Sequence, residues 1–332
     1  AVGLVLSVVT VLIYSLFQAV EAPLALLLCV TLVLLTEHLS FEINSFVFSA
    51  QKATAGALLF FIKTGLWALL AVGWMMLGWV SGITSVLWLW VVANVLVIIA
   101  GYLIVVNVHR GREAGTLATA TVWKAGLPFY LGTGLIALSQ YAERFLIIDL
   151  EPYASLGKYV YAWSAANTLQ ALSYAVVAVV GIPVLAKRFQ ADQQAFTVRQ
   201  LFVNKWVMRS LAVSAVVAVA IYLFFNVVLD YVATSVPRPD NAILAVLIFS
   251  FALRAIGDIV WGGLIASKNS RVSLASAAIC LLVSVPVSYL LIKHYSIYGA
   301  AWGNVFAIIV QLGVIAVLTR VTGAKKAAVS WA

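Results

Sequence analysis

Arg254 and Asp258 stand four residues apart in "FALRAIGDIVWGG", Phe251 to Gly263, inside an apolar run from Ala242 to Ala266. On a helix this spacing puts both side chains on one face. A guanidinium grips phosphate oxygens through a fork of N–H donors. A neighbouring carboxylate can orient that fork, or carry a proton or sodium ion. The same spacing also suits a pair that merely neutralises itself. If the run crosses a bilayer, a charge at its centre costs about 3 kcal/mol on insertion scales, so it needs a partner or a cavity.

Other charged and polar residues lie in equally apolar surroundings. "TEHLSFEIN" carries Glu37, His38 and Glu42, with His38 and Glu42 on one helix face and Glu37 on the next. Lys63 interrupts "LLFFIKTGLWALL", too far from either end to reach water easily, which favours a cavity. In "SQYAERFLIIDL", Glu143 and Arg144 are adjacent, with Tyr141 nearby and Asp149 at the outer end. Adjacent side chains on a helix diverge by about 100°, so at least one of the two faces the interior. Asn167 and Gln170 are three apart and suit hydrogen bonding between helices. Lys63, Arg144 and Arg254 together would make a cavity cationic and select an anionic ligand, such as a phosphate or pyrophosphate head group. Glu37, Glu42, Glu143 and Asp258 are candidates for a coupling proton or sodium ion.

The elements that must position these residues follow from composition. The 332-residue chain is 64% hydrophobic and 9% charged, against about 25% charged in a soluble domain. Its mean hydropathy is +1.10. This predicts an all-α polytopic membrane protein. Long continuous apolar runs exclude the alternating strands of a membrane β-barrel. At about 20 apolar residues per span, ten spans are expected: 1–20, 23–48, 54–80, 84–108, 127–148, 158–184, 206–231, 242–266, 271–292 and 297–319. Pro183 and Pro286 predict kinks.

Of the 20 lysines and arginines, most fall in loops on one side of this scheme. Only Lys158, Arg238 and Lys293 fall on the other, and Lys63, Arg144 and Arg254 lie within spans. The positive-inside rule then puts both ends of the chain in the cytoplasm. The loop "AKRFQADQQAFTVRQLFVNK", 185–205, reads as a basic amphipathic helix on the inner leaflet.

Catalytic motifs are missing. There is no glycine-rich phosphate loop with lysine, no HExxH, no CxxC and no GxSxG. Cys29 and Cys280 sit in apolar runs and read as packing residues. No cofactor or metal is implied. Charge within spans, without a catalytic set, suits transport. The chain opens "AVGLVLSVVT", without Met and already apolar, which suggests a truncated N-terminus.

Three stretches carry a resemblance. One is "KAGLPFYLGTGLIALSQYAERFLI", with its Tyr-x-acid-Arg pattern. The second is "LGKYVYAWSAANTLQALSYAVVAVVGIPVLAKRF". The third is "GLIASKNSRVSLASAAICLLVSVPVSYLLIKHYSIYGAAWGN", with Tyr-Gly-Ala-Ala opening the last span. Together they resemble the polysaccharide-transporter branch of the multidrug/oligosaccharidyl-lipid/polysaccharide exporter superfamily, the O-antigen-type oligosaccharide flippases. The resemblance implies two pseudo-symmetric helical lobes around a central cavity. Residues 1–108 would be an incomplete N-terminal lobe (family helices three to six), 109–126 a cytoplasmic inter-lobe loop, 127–320 the C-terminal lobe (helices seven to twelve) and 321–332 a cytoplasmic tail. The first two helices would be absent.

The implied activity is movement of a polyprenyl-pyrophosphate-linked oligosaccharide across a bacterial or archaeal cytoplasmic membrane, for surface polysaccharide synthesis. Its partners would be that lipid-linked substrate, membrane lipids, and a polysaccharide polymerase and other assembly proteins, with no nucleic acid. Arg144 matches the family's seventh-helix pattern, which implies a cavity-side role. Many relatives carry an asparagine where Ser284 and Pro286 stand here, so no binding role is carried over at those positions. The alternative within the superfamily is a cation-coupled drug exporter. A polymerase acting on the same sugars would need a larger outer loop than 232–241.

Overall fold

A computed structural model of the chain describes residues 24–50, 52–79, 82–109, 119–176, 205–228 and 240–329. Among them there are helices and connecting turns but no strand. The helices are α1 (Leu24–Ser49), α2 (Ala53–Phe61), α3 (Trp67–Met76), α4 (Ile83–His109), α5 (Thr119–Leu150), α6 (Tyr153–Val176), α7 (Lys205–Leu223), α8 (Asn241–Ala266) and α9 (Ser270–Val329). A π-turn, Ile62–Leu66, joins α2 to α3 without breaking the rod, and a second, Phe224–Val228, extends α7. The expected span 1–20, Pro183, residues 185–204 of the expected loop, residues 110–118 of 109–126 and residues 232–239 of 232–241 lie outside the described residues.

Six of these helical stretches are long and apolar enough to cross a membrane: Ala25–Phe48, Thr54–Met76, Ile83–Val108, Val207–Val227, Asn241–Ala266 and Ser270–Val321. Ten were expected. The run 127–148 falls on α5 and the described part of the next, residues 158–176, on α6, and both helices are long enough. Their polar content, Glu143, Arg144 and Asp149 in one and Lys158, Asn167 and Gln170 in the other, keeps them outside the six. The runs 271–292 and 297–319 both lie in α9.

At 1.5 Å per residue, the 52 residues of Ser270–Val321 would make a rod of about 78 Å, far beyond a bilayer core of about 30 Å. The rod breaks at Ser296, whose φ of 54° and ψ of −139° are not helical. The two arms, 270–295 and 297–329, fold back on each other. Gly299 packs on the backbone of Leu291 and Ile292, Gly303 packs on Ser288, and the Cys280 thiol donates to the Ala307 carbonyl at 3.3 Å. Ala300 and Ala301 are fully buried in the same stretch, so the Tyr-Gly-Ala-Ala motif marks where the arms approach most closely. The kink expected at Pro286 is not where the chain reverses. The helix runs on through Pro286 to Ser296.

The chain divides into two compact units, Ala1–Gly115 and Thr116–Ala332. In the first, α1 packs along α4 and α2 over a small core of Val47, Leu59 and Val97. In the second, α8 is the central helix. It touches α6, α7 and α9, and it is the most buried of the six. Its Leu244, Leu247 and Phe251 join Tyr159 and Leu169 of α6 in one core cluster; Val260 and Leu264 meet Val207 of α7 and Ile315 of α9 in another. α5 lies along α9, with Ser139 bonded to Ser284 at 2.8 Å and Gly132 against Ser273. Small residues on both faces bring these backbones close, as in other membrane bundles.

The ends of α8 are closed by local chemistry. Asp240 is its N-cap, accepting from the backbone N–H of Ala242 at 2.9 Å and Ile243 at 3.2 Å. At the C-terminus, Lys268 takes the left-handed conformation (φ 57°) and donates to Ile265, while Asn269 donates to Leu264, which makes a Schellman motif. The second Asp240 oxygen accepts from the Tyr298 hydroxyl at 2.7 Å, tying the start of α8 to the start of the second α9 arm.

The Tyr298 hydroxyl first, then the capped backbone, holds the Asp240 carboxyl below its ordinary value of 3.8. A carboxylate with a lowered folded pKa contributes stability above its unfolded value, and that contribution is lost as pH falls through the folded one. Asp240→Ala is expected to cost about 1 kcal/mol at neutral pH. Asp240→Asn keeps the cap and should flatten the fall in thermal stability below about pH 4. Unfolding scans at pH 7 and pH 3 check both.

Candidate functional site

Arg254 projects from the middle of the most buried helix, so it cannot reach a lipid head group or bulk water. It is 4% exposed. Its Nη2 donates to Oδ1 of Asn304, on the second α9 arm, at 2.7 Å; Ser250 donates to the same oxygen at 3.0 Å. The Asn304 amide nitrogen donates in turn to Oε1 of Glu143, on α5, at 2.6 Å, and the Tyr159 hydroxyl of α6 donates to that oxygen at 3.1 Å. Asn304 is therefore the link between a buried cation and a buried anion on different helices. Glu143 is 2% exposed and Asn304 1%. Ion pairs taken out of water persist only when hydrogen bonds satisfy what remains, and the amide does so here for both charges at once.

Asp258 does not hold Arg254 in the way the four-residue spacing suggests. No ion pair within 4.0 Å joins them among the described residues. Asp258 lies near enough to Arg254 to feel its charge through space, while its Oδ2 is buried without a partner among those residues. The Nε of Arg254 is likewise unpartnered there. The physical reason is reach. Asn304 lies across the helix interface in line with the guanidinium, and tertiary packing outcompetes the local pair.

Both orphaned atoms belong to residues that line a pocket of about 260 Å³ within the second unit. α5 contributes Thr133 and Gln140, α6 contributes Gln170, and the second α9 arm contributes Gln311. α8 supplies Arg254 and Asp258, together with Gly257, which packs against Ile308, and Trp261 and Gly262. Asn167, predicted beside Gln170, is half-buried on α6 and does not line the pocket.

Arg144 goes elsewhere. Its guanidinium carbon lies 4.0 Å from the centre of the Trp163 ring and 4.5 Å from that of Tyr141. An arginine on two aromatic faces is held by cation–π attraction. The Tyr-x-acid-Arg pattern thus sends its acid into the polar network and its arginine onto aromatic rings. Arg144 does not line the pocket with Arg254.

The first unit holds its own polar cluster. Lys63 is 4% exposed, sits in the π-turn Ile62–Leu66 and pairs with Glu37 Oε1 at 2.7 Å. Glu37 Oε2 accepts from Trp90 Nε1 and Asn94 Nδ2, each at 3.0 Å, and Ser40 donates to Asn94 Oδ1 at 3.1 Å. Trp90 stacks on Trp67 at 4.7 Å. A π-turn re-aims the side chains around it and often marks a functional position; here it accompanies an inward-pointing lysine. Lys63 is therefore neutralised by Glu37 and is not a free cation. His38 and Glu42 face each other at 4.0 Å with 34% and 49% of their side chains exposed, so they make a loose pair outside this cluster.

Lys63→Met would leave Glu37 with two hydrogen bonds and no counter-charge. Glu37 is about one-third exposed (35%), so the expected cost is about 2–3 kcal/mol, below that of a fully buried pair. Adding Glu37→Gln should recover part of it. Thermal unfolding of the two single variants and the double variant measures the coupling.

Sequence reasoning missed Asn304, Asn94, Tyr159 and Gln311. The signal was present for two of them. Asn304 and Gln311 are seven residues apart in "NVFAIIVQ", so two polar groups recur on one face of an apolar helix. Tyr159 and Asn94 become polar partners only through packing. Among the described residues, no three His, Cys, Asp or Glu side chains converge as a metal site would need. No family model, curated protein or solved structure matches this chain.

Proposed function

We propose that this membrane protein is a flippase for a polyprenyl-pyrophosphate-linked oligosaccharide, working by alternating access between the two faces of a cytoplasmic membrane. The observation that carries this reading is the polar pocket beside Arg254. It lies among apolar helices and offers one arginine, one aspartate and three glutamines, with a tryptophan at its wall. Pockets of this make-up orient polar ligands, and amide side chains match sugar hydroxyls as both donors and acceptors. The resemblance of the three stretches quoted above adds the lipid-linked carrier. In this reading the chain has ten spans with both ends cytoplasmic, in two lobes that rock about a central cavity as repeat-built transporters do. The protein is a transporter and not an enzyme, and it works beside a polymerase and other assembly proteins.

A second reading, a cation-coupled exporter of small molecules, is favoured by one feature. The carboxylate-bearing Asp258 lines the pocket, which suits a cationic ligand or coupling ion.

The test is reconstitution in liposomes with a fluorescent polyprenyl-pyrophosphate oligosaccharide, following the label from one leaflet to the other. Crossing that falls at least tenfold in a folded Arg254→Gln variant is the expected result. Absence of crossing, together with uptake of a cationic dye driven by a proton or sodium gradient, would move the protein to the exporter reading.

A further inference from the structure

We infer that the pocket beside Arg254 is a subsite for one neutral sugar ring, and that the pyrophosphate of a lipid-linked glycan binds elsewhere. The inference deepens the flippase reading and rests on it.

Charge favours a neutral ligand. Arg254 is the basic side chain lining the pocket, and it already has two carboxylates near it. Glu143 reaches it through Asn304, and Asp258 acts on it through space. A pyrophosphate here would meet one arginine, half committed to Asn304, and would face the carboxylate of Asp258 on the same wall. Like charges in a low-dielectric interior repel strongly. A neutral ligand carries no such penalty.

The hydrogen-bonding groups of the pocket suit a sugar. A sugar hydroxyl donates and accepts. The pocket wall offers donors from the Arg254 guanidinium and acceptors from the Asp258 carboxylate. Gln140, Gln170 and Gln311 stand around them, on three other helical segments, so hydroxyls around the circumference of a ring find amides on several sides. Trp261 adds an aromatic surface. The negative face of an indole attracts polarised C–H groups such as those on a pyranose face.

Size agrees. A pocket of about 260 Å³ lies just below the range of about 300–1,000 Å³ usual for small-molecule sites, the scale of one pyranose with its hydroxyls. Specificity would then be read one sugar at a time.

The experiment uses the whole protein in nanodiscs and two sets of soluble probes. Neutral hexoses (glucose, galactose and N-acetylglucosamine) are followed by saturation-transfer NMR, and inorganic pyrophosphate by phosphorus line width. The expected result is transfer to the ring protons of at least one hexose. Asp258→Asn, nearly isosteric, and Gln311→Ala should each weaken that binding about tenfold, the worth of one well-made hydrogen bond to a buried group. Pyrophosphate should show no line broadening that depends on Arg254. Absence of transfer to every hexose overturns the inference. So does pyrophosphate broadening that disappears in Arg254→Gln, although that outcome leaves the flippase reading intact. The flippase reading fails separately, in the liposome assay.

Discussion

Replacing Arg254 by methionine is expected to destabilise the protein by about 3–5 kcal/mol, the cost of removing one member of a buried, hydrogen-bonded charge set. The methionine side chain fills much of the same space, so a cavity is not the main loss. What remains is Glu143, 2% exposed, still held by Asn304 and Tyr159 but with no cation near enough to balance it through the amide. Asn304 Oδ1 keeps only Ser250 as a donor. Thermal unfolding in detergent or nanodiscs measures the effect. Two companions separate charge from shape. Arg254→Lys retains the charge but lacks the fork that reaches Asn304, so it should fall between. Arg254→Met with Glu143→Gln removes both charges and should recover much of the loss, because an apolar or neutral replacement of a whole buried pair is often tolerated. If the single variant unfolds like the parent, the network is not what orders the second unit.

The second large effect is expected at Gly299. A β-carbon there would run into the Leu291 carbonyl and the Ile292 nitrogen. These are backbone atoms, and neither can rotate away. Gly299→Val should therefore cost about 3 kcal/mol, the upper end of overpacking, by prising the α9 arms apart next to Ser296. Gly303 gives an internal contrast. Its nearest neighbour is the Ser288 hydroxyl, a side-chain atom that can swing aside, so Gly303→Ala should be the milder change. Measured unfolding temperatures for the two variants, with the first clearly lower, would support the hairpin. Equal values would mean that the arms have room to adjust.

The two predictions mark where sequence reading succeeded and where it stopped. The runs 271–292 and 297–319 were separable because a polar stretch, "KHYS", lies between them. The residue that turns the chain, Ser296, was invisible. Nothing in a serine demands a positive φ, and Pro286 was the more obvious breaker. Arg254, Asp258, Glu143 and Lys63 were found at once, because a charge in an apolar run costs too much to be incidental. Their partners were mostly not found. Lys63 meets Glu37 across 26 residues of chain, and Arg254 meets Asn304 across 50. Local spacing favoured Asp258 for Arg254, but a hydrogen bond across a helix interface prevailed. Arg144, adjacent to Glu143, was expected to share in a cationic cavity. One residue of helical rotation sends it to Trp163 and Tyr141 instead.

By itself, the sequence determined that the chain is helical and built for a bilayer, and which of its charges must be sheltered. Those conclusions depend on quantities that each residue carries with it: hydrophobicity, charge and the helical period. Tertiary structure alone decided which charges meet, which line a pocket, and that Asn304 joins a cation to an anion. Those outcomes depend on how helices far apart in the chain face one another, and one step of register on any of them would have exchanged the partners.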